Sequence, residues 1–311
     1  MIPHSDRLLL DVGGTFIKCA DGRCIPMPSG GSRDEIAAAL KQAVAEGRHG
    51  RPDRPSAIAV AIPGPFDYAR GIFLMRHKFA AVYGESFRTL ANLPDDCDLR
   101  FRHDVVAALE GCLALQDAAG DCGAGDGVRK AFPDRVLSCF LNHAPDRTKP
   151  AAPSTDTALV TIGTGLGFAH TQDGAVQIGP NGSPARPLYN LPWGDGILED
   201  IVSARGIRNA FARLGGRADL SAAQIAGLAQ AGDERALQVF STLGETLGEA
   251  LAPVLEELHI GTLLLAGQVC RSFCLFERPL RNALDGIAIQ PALDGAVFAG
   301  LAALFQDNDN E

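Results

Sequence analysis

Two glycine turns of one design, the first at the head of the chain and the second near its middle, constrain this sequence more than any other feature. The first runs Leu8-Leu9-Leu10-Asp11-Val12-Gly13-Gly14-Thr15-Phe16-Ile17-Lys18 and continues to Asp21-Gly22. The second runs Ala158-Leu159-Val160-Thr161-Ile162-Gly163-Thr164-Gly165-Leu166-Gly167-Phe168 and continues to Asp173-Gly174. In each, an apolar strand enters a Gly/Thr turn, a second short strand leaves it, and Asp-Gly closes the unit. Gly13 stands as far ahead of Asp21 as Gly165 does of Asp173. Glycine lets backbone amides crowd against a ligand and turn toward an anion. One such turn is an ordinary hairpin. A pair, with Asp11 ahead of the first, points to one polyphosphate gripped by two halves of a protein.

Other ways of binding a nucleotide are excluded. A dinucleotide fingerprint passes from a strand through its glycines into a helix, whereas Gly13-Gly14-Thr15 leads into another strand. No GxxxxGK[ST] run is present, which removes the P-loop kinases. The net charge of −9 argues against nucleic acid and acidic membrane surfaces as partners, so a polyanion has to be held by local amides. No apolar run reaches the roughly 20 residues that cross a bilayer, and Met1–Asp6 lacks the features of a signal peptide. A cytoplasmic protein is expected. Its eight cysteines form no CxxC pair, and Cys19 and Cys139 sit in apolar runs, so reduced thiols are expected.

At 311 residues the chain is long enough for two lobes. Leu8–Leu10 and Ile17–Ala20 read as a hairpin, Asp34–Glu46 as an amphipathic helix, and Ser56–Ile62 as a buried strand stopped by Pro63-Gly64-Pro65. Asp98–Arg102 reads as a strand running into a Val105–Leu115 helix, which places Asp104 at a strand's carboxyl end, where α/β sheets bind ligands. Gly120–Thr157 reads as a long loop interrupted by Arg135–Leu141, and Val176–Pro192 as an irregular segment suited to a binding loop. Helices are predicted over Asp195–Leu214, Ser221–Ala231, Asp233–Leu258 and Gly295–Phe305, with a strand at Thr262–Ala266. The repeated hairpin–helix–strand order argues for two α/β lobes of similar design.

The motifs resemble those of the sugar-kinase, actin and heat-shock ATPase superfamily. Asp11-Val12-Gly13-Gly14-Thr15 is similar to its first phosphate motif, Ile162-Gly163-Thr164-Gly165-Leu166-Gly167 to its second, and Leu263-Leu264-Leu265-Ala266-Gly267-Gln268-Val269 to its adenosine motif. Within it the chain resembles the ROK family of sugar kinases and repressors, through Ala61–Asp67, Asp104 with Glu110-Gly111, Ile197–Ser203 and Asp294–Ala303. The resemblance implies an α/β, two-lobed actin-like ATPase fold of ribonuclease H-like type, with the nucleotide between the lobes. A small lobe would span 1–104, completed by a helix at 295–311, and a large lobe 105–294, with an insertion near 117–157. It implies phosphorylation of a sugar by ATP and Mg2+, with Asp104 as the base that accepts the hydroxyl proton. Residue alone leaves Asp104 equally a helix cap. Asp11 would face the magnesium, directly or through water. Gly13, Gly14, Thr15, Gly163, Thr164 and Gly165 would hold phosphates, and Gly267 and Gln268 would border adenosine. Gly64, Pro65, Lys78, His103, Asp104, Gln177 and Glu199 would line the substrate. Glu199 is alternatively an acidic residue at a helix start, and Lys18 an exposed hairpin lysine.

The departures from the family concern the sugar. The zinc loop of that family carries a histidine and three cysteines, yet Val176–Glu199 contains neither residue type, so no structural zinc is expected. Gln177 stands in place of a glutamate, His77-Lys78-Phe79 in place of a sugar-binding asparagine, and Arg102-His103 in place of Glu-Asn. Lys78 and His103 add donors that suit an acidic or acylated sugar. A small-molecule sugar is the expected partner, with no nucleic acid and no membrane, and a homodimer is compatible with the sequence. Two other classes compete with a kinase. A sugar-sensing regulator would need a DNA-binding domain ahead of Leu8, for which there is no room, and a non-kinase ATPase would not need Asp104.

Overall fold

The computed structural model describes residues 7–46, 56–120 and 156–305. The expected insertion and the apolar Arg135–Leu141 run therefore lie outside the described residues, apart from the margins of the insertion. The chain divides into two compact units, one of residues 1–122, 178–185 and 295–311, the other of 123–177 and 186–294.

In the first unit, β1 (Arg7–Val12), β2 (Phe16–Cys19) and β3 (Cys24–Pro26) form an antiparallel meander, followed by α1 (Arg33–Glu46) and β4 (Ala57–Ile62). A small hairpin of β5 (Phe66–Asp67) and β6 (Ile72–Phe73) and the short α2 (Phe87–Ala91) lead to β7 (Asp98–His103) and α3 (Asp104–Gly120). The sheet order is β3-β2-β1-β4-β7, with β1, β4 and β7 parallel. The Ala-Ile-Ala-Val-Ala-Ile sequence of β4 explains both of its faces. Ile58, Val60 and Ile62 join the core beneath α1, whereas Ala57, Ala59 and Ala61 meet Ala107 and Leu301. Small residues also let α3 and the last helix, Ala296–Ala303, approach closely. A Cβ on Gly111 would lie 1.7 Å from the Ala296 carbonyl oxygen, and one on Gly300 2.0 Å from that of Ala107. This contact carries the first unit through α3, past the division at residue 104 drawn from sequence.

The second unit repeats the plan. β8 (Thr157–Ile162), β9 (Leu166–Gln172) and β10 (Ala175–Val176) form the meander, and the hairpin of β11 (Pro192–Trp193) and β12 (Gly196–Ile197) precedes α4 (Ala204–Arg213), α5 (Ala222–Gln230) and α6 (Glu234–Glu257). β13 (Thr262–Ala266), α7 (Glu277–Ala283) and β14 (Ala288–Pro291) complete it, with sheet order β10-β9-β8-β13-β14. The 24-residue α6 is started by Asp233, whose carboxylate accepts the Ala236 amide, and it buries Val239, Phe240, Leu243, Leu247 and Leu251.

Two expectations are corrected. The helix expected over Asp195–Leu214 begins only at Ala204, because Gly194 takes a left-handed turn and the buried Ser203 hydroxyl caps the Gly206 amide at 3.0 Å. The segment before it forms β11, β12 and a single 3-10 turn, Leu198–Asp200. Cys274 is disulfide-bonded rather than reduced, whereas Cys19 and Cys270 are free and buried.

Candidate active site

Parallel pairing brings three strand ends of the first unit to one edge. Asp11 sits opposite Ala61, Ala61 opposite Arg102, and Ile62 opposite His103. Asp11, the Pro63-Gly64-Pro65 turn and the His103-Asp104 junction therefore share the carboxyl edge of the sheet, the edge where α/β folds bind ligands.

Asp104 is the first residue of α3, so its carboxylate meets free amides at the helix start. Its Oδ1 accepts the Val105 amide at 2.7 Å and lies 2.8 Å from His103 Nδ1. Among the described residues no hydrogen bond occupies Oδ2, and the side chain keeps 40% of its surface exposed. Desolvation alone would raise its pKa, but His103, the Val105 amide and the charge of Lys78 outweigh it and hold the carboxyl below the ordinary value. Asp104 is therefore ionised at neutral pH.

The Asp11 carboxyl is lifted above its ordinary value, chiefly by burial, against the opposing charge of Lys18 and with a contribution from Asp104. Lys18 Nζ lies 3.1 Å from Asp11 Oδ2.

The first turn is closed by the Gly13 amide donating to the Phe16 carbonyl at 2.9 Å. Ser29 braces it. Its hydroxyl donates to the Gly14 carbonyl at 2.6 Å, and its own carbonyl accepts the Phe79 amide at 2.6 Å. This chain of bonds lays Lys78 over the turn, with Cδ and Cε 3.4 and 3.6 Å from the place of a Gly14 Cβ. Thr15 is exposed beside it. Of the other cations, Arg102 is spent on Glu110 at 3.1 Å, and His77 is exposed. Gly64 packs against the Tyr68 hydroxyl and the His103 ring, and Pro65 is exposed. Tyr68 donates to the Ile62 carbonyl at 3.1 Å and stays protonated, because burial and the Asp104 charge push its pKa up.

In the second unit the turn is shorter. The Gly163 amide donates to the Gly165 carbonyl at 2.9 Å, so Gly163, rather than Gly165, is the counterpart of Gly13. Among the described residues, chain neighbours apart, no atom lies within 4 Å of a Cβ built on Gly163, and Thr164 is exposed. Glu199 accepts the Leu166 amide on Oε2 at 2.9 Å. Gly267, at the end of β13, has a φ of 92°, and a Cβ there would lie 2.4 Å from the Ile162 carbonyl oxygen, so glycine is required by the fold itself. Gln268 follows it, exposed. Gln177 donates its side-chain amide to the Ala175 carbonyl at 2.8 Å, and its backbone amide bonds His170. In the loop after it, Leu188 is buried and Leu191 and Trp193 pack against the core. Among the described residues no cluster of His, Cys, Asp or Glu has the makings of a metal site.

Each unit thus assembles its own expected set, Asp11, Gly13, Gly14, Thr15, Gly64, Pro65, Lys78, His103 and Asp104 in the first, Gly163, Thr164, Gly165, Gln177, Glu199, Gly267 and Gln268 in the second. Sequence reasoning passed over Ser29, Tyr68 and Arg205, because their roles depend on contacts that no local spacing announces.

Neither a family model nor a curated protein matches the sequence. Solved structures match over almost its whole length. A ROK family glucokinase from Streptomyces griseus, in complex with glucose and AMPPNP, is 20% identical with a TM-score of 0.66, over 96% of this chain and 98% of that one. A ROK hexokinase from Thermus thermophilus is 20% identical with a TM-score of 0.61, over 98% and 99%. A ROK family transcriptional regulator, a homologue of the E. coli MLC protein, is 19% identical with a TM-score of 0.64, over 97% of this chain and 78% of that one. The α/β fold expected from the motifs is the fold of these ROK proteins.

Proposed function

We propose that the protein phosphorylates a hydroxyl of a sugar or sugar derivative with ATP, using Asp104 as the general base. The observation that carries this is the state of Asp104, ionised, with Oδ1 fixed by His103 and Val105 and Oδ2 open, at the edge that also holds Asp11 and the first glycine turn. A sugar hydroxyl donating to Oδ2 would pass its proton there as its oxygen bonds the γ-phosphorus and the bond from that phosphorus to the β-phosphate oxygen breaks, releasing ADP. Phosphoryl transfer runs through a loose transition state, so a carboxylate of low basicity suffices late in the step. His103 holds the carboxylate in place.

Asp11 would hold a magnesium ion, directly or through water, which supplies charge neutralisation for the phosphates. The turns of Gly13, Gly14 and Thr15 and of Gly163, Thr164 and Gly165 would bind phosphate oxygens, through the amides of Gly14, Thr15, Thr164 and Gly165, because those of Gly13 and Gly163 already donate within their own turns. Gly163 would contribute the open space beside its Cα, which allows close approach. Gly267 and Gln268 would border adenosine. Gly64, Pro65, Lys78, His103, Gln177 and Glu199 are the proposed substrate contacts. The partner is a small-molecule sugar, and no structural zinc, nucleic acid or membrane is involved. Among the described residues no helix is long and apolar enough to cross a membrane.

The test is ATP turnover by the purified chain with magnesium, against hexoses, N-acetylated hexoses and acidic sugars, on protein checked for zinc. ADP release that depends on one sugar class is expected, with no stoichiometric zinc. The regulator neighbour supports the second reading, a sugar-binding or non-kinase ATPase protein of the same fold. ADP release indifferent to every sugar, or none at all, would favour it.

A further inference from the structure

One oxygen of the Glu199 carboxylate is already committed to the protein. Its Oε2 accepts the Leu166 amide at 2.9 Å, and a Cβ built on Gly165 would lie 2.6 Å from that same oxygen. The three atoms nearest such a Cβ all belong to the Glu199 carboxylate, and the Gly165 backbone is not left-handed. A Cβ at this position would therefore have to push the carboxylate aside, whereas at Gly163 no described residue beyond its chain neighbours comes within 4 Å of one.

The segment that carries Glu199 is itself anchored to the turn. The Ala204 amide donates to the Gly163 carbonyl at 2.8 Å, and the fully buried Ser203 donates to the Glu199 carbonyl at 2.7 Å. Arg205 stands 3.7 Å from Glu199 and 2.8 Å from Asp200, which offsets negative charge that would repel a polyphosphate. We infer that Glu199 is a positioning residue of the second glycine turn, whose carboxylate fixes Gly165 and Leu166 so that the amides of Thr164 and Gly165 present a preformed phosphate cradle beside the open face of Gly163. The inference rests on the proposed phosphate-binding role of that turn.

The test is calorimetric binding of magnesium AMPPNP to the full chain and its variants, with the Michaelis constant for whichever sugar the wild type phosphorylates. Glu199→Ala should weaken AMPPNP about tenfold, the loss expected for a hydrogen bond to a charged group. Glu199→Gln, whose carbonyl oxygen still accepts the Leu166 amide, should stay within about threefold of the wild type. Gly165→Ala should weaken binding about tenfold by displacing the carboxylate, and the double variant should be no weaker than either single one.

Unchanged AMPPNP affinity in Glu199→Ala, additive losses in the double variant, or a raised sugar Michaelis constant in both Glu199 variants with AMPPNP binding intact would overturn the inference. If Glu199→Ala does not fold, Gly165→Ala decides, and its unchanged affinity overturns the inference equally. A wild-type chain that binds no AMPPNP overturns the phosphate role of the turn, and the inference with it. A chain that binds AMPPNP but phosphorylates no sugar defeats the kinase proposal alone.

Discussion

The two glycine turns head sheets of the same strand order, yet their surroundings have opposite electrostatic character. The first is a four-residue loop between Val12 and Ile17, with Lys78 laid across it and the Asp11–Lys18 pair at its base. The second is a three-residue loop between Ile162 and Leu166, with the Glu199 carboxylate on one side and open space on the other. One backbone plan thus stands in two settings. The first turn lies at the sheet edge that holds Asp11 and Asp104, where the proposed transfer of proton and phosphoryl would take place. The second is held by the Glu199 carboxylate on the Leu166 amide and closed by the Gly163 amide on the Gly165 carbonyl. The two sheets share a strand order, and the side chains flanking their turns differ.

The largest effect that would test this division is at the chemical centre. Asp104→Asn keeps size and can still accept the Val105 amide, but cannot take a proton, and kcat should fall roughly 10²–10⁴-fold with AMPPNP affinity retained. Because His103 and Val105 hold the Asp104 carboxyl low, the wild-type rate should persist as pH falls toward the ordinary carboxylate value of about 4. An activity loss near pH 6 that disappears in this variant would contradict the assignment.

Gly163→Val sharpens the contrast between the turns at the next level. A side chain there meets no described residue at Cβ beyond its chain neighbours, so the melting temperature should hold, while AMPPNP binding weakens by roughly tenfold, or about 1.4 kcal/mol. Equal affinity in calorimetry would mean that nothing approaches Gly163.

The smallest effect concerns how each meander is fastened. Asp21 pairs with its neighbour Arg23, whereas Asp156 reaches across its sheet to accept the Thr171 hydroxyl and the Asp173 and Gly174 amides. Burial would raise the Asp156 pKa, but these donors lower it. A carboxyl depressed on folding adds stability that is present above the unfolded value, about 3.9, and is lost as pH falls through the lower folded value. Asp156→Asn should therefore cost about 1 kcal/mol in urea unfolding at pH 7, with a smaller difference at pH 3. The same cost at both values would remove charge from the explanation.

What was legible in the sequence follows physical lines. The hairpins, β4, β7, β13 and the long α6 were readable because apolar runs and capping residues report directly on local structure. The helix expected over Asp195–Leu214 was misjudged because Glu199 and Asp200 look like the acidic first turn of a helix. In the structure Asp200 instead accepts the Ile197 amide, and Glu199 reaches Leu166. β14 and α7 went unread, since a four-residue strand ending in Pro291 carries almost no local signal. At the site, residue types were visible but partners were not. Arg102 stood out in the sequence only for replacing a family glutamate, and in the structure it is paired with Glu110. Ser29 gave no hint that it braces Gly14.

The helix Ala296–Ala303 covers the alanine face of β4, although nearly three hundred residues separate it from β1. A ribosome makes β1, β4 and α3 long before it makes that helix, and domains tend to fold as they emerge. The nascent chain must carry Ala57, Ala59, Ala61 and Ala107 uncovered while the whole second unit is synthesised. The second unit, free of this dependence, is complete first, so the order of maturation is the reverse of the order in which the two sheets begin.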